Sequence, residues 1–136
     1  MKVVAQSVGI TARPQSLRRF PGIWSADCHL FVRRAAVGDF VELRFPAKDK
    51  TRAKLILHAT RSYDYGTVRF KVNGQPAGAE TDLYAPKPTT SGQIELGVFE
   101  PVNGAFSVRA EVVGKNAKSS GTYFGLDCIV IESSSD

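Results

Sequence analysis

A two-residue alternation of apolar and polar positions runs through most of the chain, the period of a strand with one buried face. In "DFVELRF", Val41, Leu43 and Phe45 share one side while Glu42 and Arg44 share the other. "AKLILHA" sets Ala53, Leu55, Leu57 and Ala59 against Lys54, Ile56 and His58, and "TVRFKV" sets Val68, Phe70 and Val72 against Thr67, Arg69 and Lys71. "QIELGVF" alternates through Ile94, Leu96 and Val98, and "FSVRAEV" through Phe106, Val108, Ala110 and Val112. "FGLDCIVIE" is apolar on both faces, which suits a strand in the middle of the core. Turn chemistry separates the runs: "KDKT" after Pro46, Asn-Gly at 73–74 and 103–104, and "GKNAKSSG" before the last strand. Apolar residues do not recur at helical spacing, and "APKPTTSG" reads as a proline-bearing crossing loop. The pattern predicts an all-β antiparallel β-sandwich with negligible helix.

Composition narrows the picture a little. The 136 residues suit one domain, with 43% hydrophobic and 23% charged residues as in soluble globular proteins. No apolar run reaches the roughly 18 residues that cross a bilayer, so no membrane partner is expected. The opening "MKVVAQSVGI" has a short apolar stretch without a signal-peptide core or cleavage site. The compartment stays open between an internal protein and a module of a longer exported one.

Net charge is +5, from 18 basic and 13 acidic residues. The basic residues are scattered along the chain, which favours a solvated positive surface over a nucleic-acid groove. Phe40 and Phe99 break the alternation outward, but two rings make a thin stacking surface for single strands. Cys28 and Cys128 lack zinc-ligand spacing, so no metal is expected. They read as buried thiols, with a bridge between first and last strands as the alternative. His29 and His58 sit in no nucleophile motif and read as structural, and Trp24 in "GIWSAD" reads as a partly buried anchor.

The stretch from residue 38 to 78, "GDFVELRFPAKDKTRAKLILHATRSYDYGTVRFKVNGQPAG", resembles the central part of a galactose-binding-like jelly roll. Carbohydrate-binding module families 6 and 35 share its cadence, and "YFGLDCIVIE" is similar to their closing strand. The C-terminal jelly roll of glycoside hydrolase family 172-related proteins is similar as well. Its Tyr-Asp-Tyr-Gly, Asp-Leu-Tyr, Gly-Lys-Asn and Gly-Leu-Asp motifs occur in the same order, here at 63–66, 82–84, 114–116 and 125–127. The resemblance covers about residues 17–132 and implies a jelly-roll core over that span, within one domain of 1–136.

Departures bear on function. The family 6 pattern has asparagine where this chain has Gly125, and an aromatic before the Gly-Asp strand where this chain reads "RRAAVGD". "KVVAQSVGI" carries none of the acidic residues of the modules' calcium site, of which only Asp127 remains. Neither the usual sugar cleft nor the calcium site carries over, and no cofactor is implied. In the hydrolases the catalytic glutamates belong to another jelly roll, so the resemblance implies no active site here.

The residues agree with that. Glycoside hydrolysis needs two carboxyl groups about 5 Å or about 6.5–9.5 Å apart, whereas Glu42, Glu95 and Glu111 sit singly on polar strand faces. The hairpin tip "RSYDYG" is more suggestive. A saccharide presents an apolar face and a rim of hydroxyls, matched by aromatic rings beside carboxylates, amides or guanidinium groups. Arg61, Tyr63, Asp64 and Tyr65 supply those types in five residues, and Asn116 and Tyr123 offer a second set. The plainer reading of the motif alone is a tight turn, with Asp64 bonding backbone amides and one tyrosine packed on the sandwich edge. Both readings stand at this point. The leading expectation is a non-catalytic module with a carbohydrate partner. The alternatives are a structural subunit oligomerising through an apolar stripe of Phe40, Ile56 and Phe99, and, behind it, single-stranded nucleic-acid binding.

Overall fold

The computed structural model describes residues 2–6, 11–16, 28–33, 36–47 and 52–133. They form ten strands: β1 Lys2–Gln6, β2 Thr11–Ser16, β3 Cys28–Arg33, β4 Phe40–Pro46, β5 Ala53–Arg61, β6 Thr67–Val72, β7 Gln75–Asp82, β8 Thr89–Phe99, β9 Ala105–Gly114 and β10 Phe124–Ser133. Two five-stranded sheets result, in the orders β1-β4-β9-β6-β7 and β2-β3-β10-β5-β8. Every strand pairing is antiparallel. The chain passes from one sheet to the other at most of its connections, as in a jelly roll. Among the described residues no helix is long and apolar enough to cross a membrane.

The alternation explains the packing. Val41, Leu43 and Phe45 of β4 join Val68, Phe70 and Val72 of β6 and Phe106, Val108 and Val112 of β9 on one inner face. Leu55 and Leu57 of β5, Val32 of β3 and Phe124 and Leu126 of β10 face them from the other sheet. β10 lies in the middle of its sheet, between β3 and β5, but it is not buried on both faces as its doubly apolar sequence suggests: Val130 is 37% exposed. Two Asn-Gly turns close the β6–β7 and β8–β9 connections with both central residues at positive φ: Asn73 at 50° and Gly74 at 83°, Asn103 at 53° and Gly104 at 76°. At the β6–β7 hairpin this mirror-image turn matches the right-handed twist of the paired strands. At 103–104 it turns the chain from one sheet to the other, closed by the Val102–Ala105 bridge.

Three further expectations are corrected. Val98 does not follow Leu96 inward: Gly97, at φ 121°, sits at a register shift between β5 and β8, so Leu96 is buried while Val98 is 44% exposed. "APKPTTSG" is a crossing loop only over 85–88, because its last four residues belong to β8. The apolar stripe does not exist. Phe40 lies in one sheet, with the Arg109 guanidinium carbon 3.6 Å from its ring centroid. Ile56 and Phe99 lie in the other, the first 5% exposed and the second packed on the core.

Cys28 and Cys128 fall in the neighbouring strands β3 and β10. Their side chains, that of His29, and Trp24 as a whole lie outside the described residues.

Candidate functional site

At one end of the sandwich three segments meet: 61–66 after β5, 82–85 after β7 and 114–123 between β9 and β10. Main-chain bonds join them. Ser62 N donates to Leu83 O at 3.0 Å and Ala85 N to Ser62 O at 3.1 Å, flanking a parallel bridge between Ser62 and Tyr84. On the other side Ser120 N donates to Tyr63 O at 3.0 Å, Tyr123 N to Asp64 O at 3.1 Å and Gly66 N to Tyr123 O at 2.8 Å. The approach is close enough to require glycine. A Cβ at Gly66 would stand 2.9 Å from Gly114 O and 3.1 Å from Thr122 Cα, and one at Gly121 would stand 3.0 Å from Asp64 O.

Ser119 is the hub. It is 4% exposed, and its hydroxyl lies 2.7 Å from Tyr65 O, 2.8 Å from Gly121 O and 3.3 Å from Tyr63 O. Its single proton serves one of these carbonyls at a time. Nothing in "KSSG" distinguishes this serine from Ser120. Tyr63 and Tyr65 lie more than fifty residues away in the chain, so the sequence signal amounts to Gly121 nearby.

The two tyrosines of "YDY" part company. Tyr65 is 5% exposed and belongs to the core cluster. Burial pushes its hydroxyl well above the ordinary tyrosine pKa, while a hydrogen bond with the Thr60 side chain works in the opposite direction. Tyr65 is therefore corrected from a stacking residue to a core residue. Tyr63, two positions earlier, is 54% exposed. Its carbonyl is held by the 119–120 segment, so the ring stands outward on a fixed backbone.

Asn116 is engaged at both ends. Its Nδ2 donates to Asp82 Oδ2 at 2.8 Å, and its Oδ1 accepts from Lys118 N at 2.9 Å. Asp82 Oδ1 in turn accepts from Tyr84 N at 2.9 Å. Asn116 thus ties the long loop to the end of β7. Tyr123 is half-buried and packs against the core. Asp64 is half-buried beside Gly121. Arg61 ends β5, with a buried Nε that has no hydrogen-bond partner. The fold gathers all six expected residues at one end, and Tyr63 offers the most accessible ring among them. Among the described residues, no group of three or more His, Cys, Asp or Glu could hold a metal ion.

Solved structures share this architecture. A Paenibacillus xanthan lyase superposes with a TM-score of 0.81 at 21% identity, over 97% of this chain and 12% of the lyase. The Agl-KA catalytic domain gives a TM-score of 0.52 at 14% identity, over 96% of this chain and 26% of that one. The catalytic domain of a GH87 alpha-1,3-glucanase in complex with nigerose also gives 0.52, at 15% identity, over 96% of this chain and 27% of that one. The likeness is one of fold. This chain spans between about an eighth and about a quarter of each of those proteins. No protein-family model matches it, and no curated protein does.

Proposed function

We propose that this chain is a non-catalytic module of a carbohydrate-active protein, holding a saccharide against the exposed ring of Tyr63. The observation that carries this reading is the contrast within three residues. Tyr65 is spent on the core, whereas Tyr63 is held in solvent by main-chain bonds that do not involve its side chain. An aromatic ring kept at the surface on a rigid backbone is the element a sugar's apolar face stacks on, with little ordering cost at binding. Arg61 at the end of β5 and Asp64 in the turn supply a guanidinium and a carboxylate for the hydroxyl rim. The fold supports the reading, because it recurs as a small part of proteins named for action on xanthan and alpha-1,3-glucan.

The test is calorimetric titration with a panel of neutral oligosaccharides, including nigerose and its longer homologues. Tyr63→Ala should lower affinity about ten-fold and leave the melting temperature unchanged, since an exposed side chain contributes little to folding. A Tyr63→Ala protein that binds every saccharide as well as the parent would remove the loop from consideration.

A further inference from the structure

The outer face of the first sheet breaks a pairing rule. Side chains directly opposite one another on antiparallel strands interact, and like charges there are destabilising. Arg109 of β9 stands opposite Glu42 of β4 on one side and opposite Lys71 of β6 on the other. Lys71 in turn faces Pro76 of β7, so the next strand supplies no counter-charge. Nearby, Arg69 and Glu111 satisfy each other at 3.2 Å. With that pair set aside, Glu42 is the one carboxylate on these register rows beside Arg44, Lys71 and Arg109 among the described residues. Glu80 and Asp82 of β7 lie farther along the edge strand, toward Thr67.

Arg109 is also held in an unusual way. Its guanidinium carbon lies 3.6 Å from the Phe40 ring centroid, and its buried Nε has no hydrogen-bond partner. Stacking fixes the plane of the group without using its in-plane donors, which are the ones that match a carboxylate. Next to this patch the face opens into a cleft of about 500 Å³, lined by Glu42, Arg44, Asn73, Val102, Asn103 and Ser107. Val102 is 56% exposed there, and the Arg44 guanidinium donates to Asn103 O at 3.0 Å, along the cleft wall. An apolar wall beside hydroxyl, amide and charged groups suits a sugar ring.

We propose that this face binds a carboxylated polysaccharide, with Lys71 and Arg109 taking one carboxylate and the cleft taking a neighbouring sugar ring. Folding gains nothing from placing Lys71 across from Arg109, and a local rule broken without structural return marks a surface shaped by a partner. A bound carboxylate turns that repulsion into attraction. The face suits a glycan better than a single-stranded nucleic acid, because its one aromatic ring, Phe40, is already covered by Arg109 and offers no base a stacking surface. The site shares no residue with the Tyr63 loop and does not depend on it.

The experiment titrates the intact chain with polygalacturonate, with the same polymer after carboxyl reduction, and with oligothymidylate. Polygalacturonate should bind with an affinity that falls as salt rises, and carboxyl reduction should weaken it at least about ten-fold. Lys71→Gln and Arg44→Gln should each cost about ten-fold in affinity. Lys71→Gln should also leave the melting temperature equal or higher, because it relieves the like-charge pair. Tyr63→Ala should leave acidic-polymer binding unchanged, which keeps failure at the loop distinguishable from failure here. The proposal is overturned if polygalacturonate does not bind, if Lys71→Gln binds it as tightly as the parent, or if oligothymidylate binds equally well.

Discussion

Tyr63 and Tyr65 carry the same side chain two positions apart and meet opposite fates, and the difference has a titration consequence. Unfolded tyrosine ionises near pH 10, whereas burial holds the Tyr65 hydroxyl protonated well above that. Above about pH 10 the unfolded chain therefore binds fewer protons than the folded one, so stability falls as pH rises. Below that pH the contribution is fully present. Urea midpoints measured between about pH 8 and 11 should decline more steeply for the parent than for Tyr65→Phe. Ser119→Ala should cost about 1–3 kcal/mol in the same assay, since Tyr65 O or Gly121 O then loses its donor in a buried place. Neither fate was legible in "RSYDYG" itself. Simple alternation would set residues 63 and 65 on one side, but a turn lies between them, and the segment that covers Tyr65 comes from residues 119–123. Chemistry-bearing residue types could be read from the sequence, while their exposure depended on a segment more than fifty residues away.

Strands whose side chains do the packing announced themselves. β4, β6 and β9 follow the alternation read from the sequence, because every second residue is buried against the facing sheet. β5 buries Ala53, Leu55, Leu57 and Ala59 as read but Ile56 and Thr60 as well. β10, apolar on both faces in sequence, leaves Val130 in solvent. β7 did not, since "QPAGAETD" buries little beyond Ala77 and is held to β6 at the sheet edge by its backbone. A backbone-held strand leaves no hydrophobic trace. The β8 register was misread for a related reason, as the shift at Gly97 is a backbone event inside an apparently regular run. The two Asn-Gly turns were plain in sequence yet are unequal in structure. Asn73 Oδ1 accepts from Ser107 N at 3.0 Å, and its Nδ2 donates to Glu100 O at 2.9 Å, binding the β6–β7 hairpin to the β8–β9 connection. Both Asn73→Ala and Asn103→Ala place alanine at a positive φ, but only the first also removes these bonds. Asn73→Ala should therefore be less stable than Asn103→Ala by about 1–3 kcal/mol in paired urea melts.

The sandwich joins segments distant in sequence: β10 completes its sheet between β3 and β5, and β4 pairs with β9. Loop-closure entropy must be met before such contacts form, so refolding should take milliseconds to seconds by stopped-flow fluorescence. Leu57, 1% exposed, packs within the core that both sheets share, and Leu57→Ala should cost about 2–4 kcal/mol. The loop end obeys a different economy from this core. Its three segments are locked through carbonyls, amides, the Asp82 carboxylate, two glycines and one buried hydroxyl, none of which belongs to the Tyr63 side chain or to that of its exposed neighbour Ser120, apart from a long 3.4 Å approach of the Ser120 hydroxyl to Tyr63 O. Evolution, or a library, can rewrite positions 63 and 120 while the scaffold stays as it is, much as a reading head is exchanged on an unaltered arm.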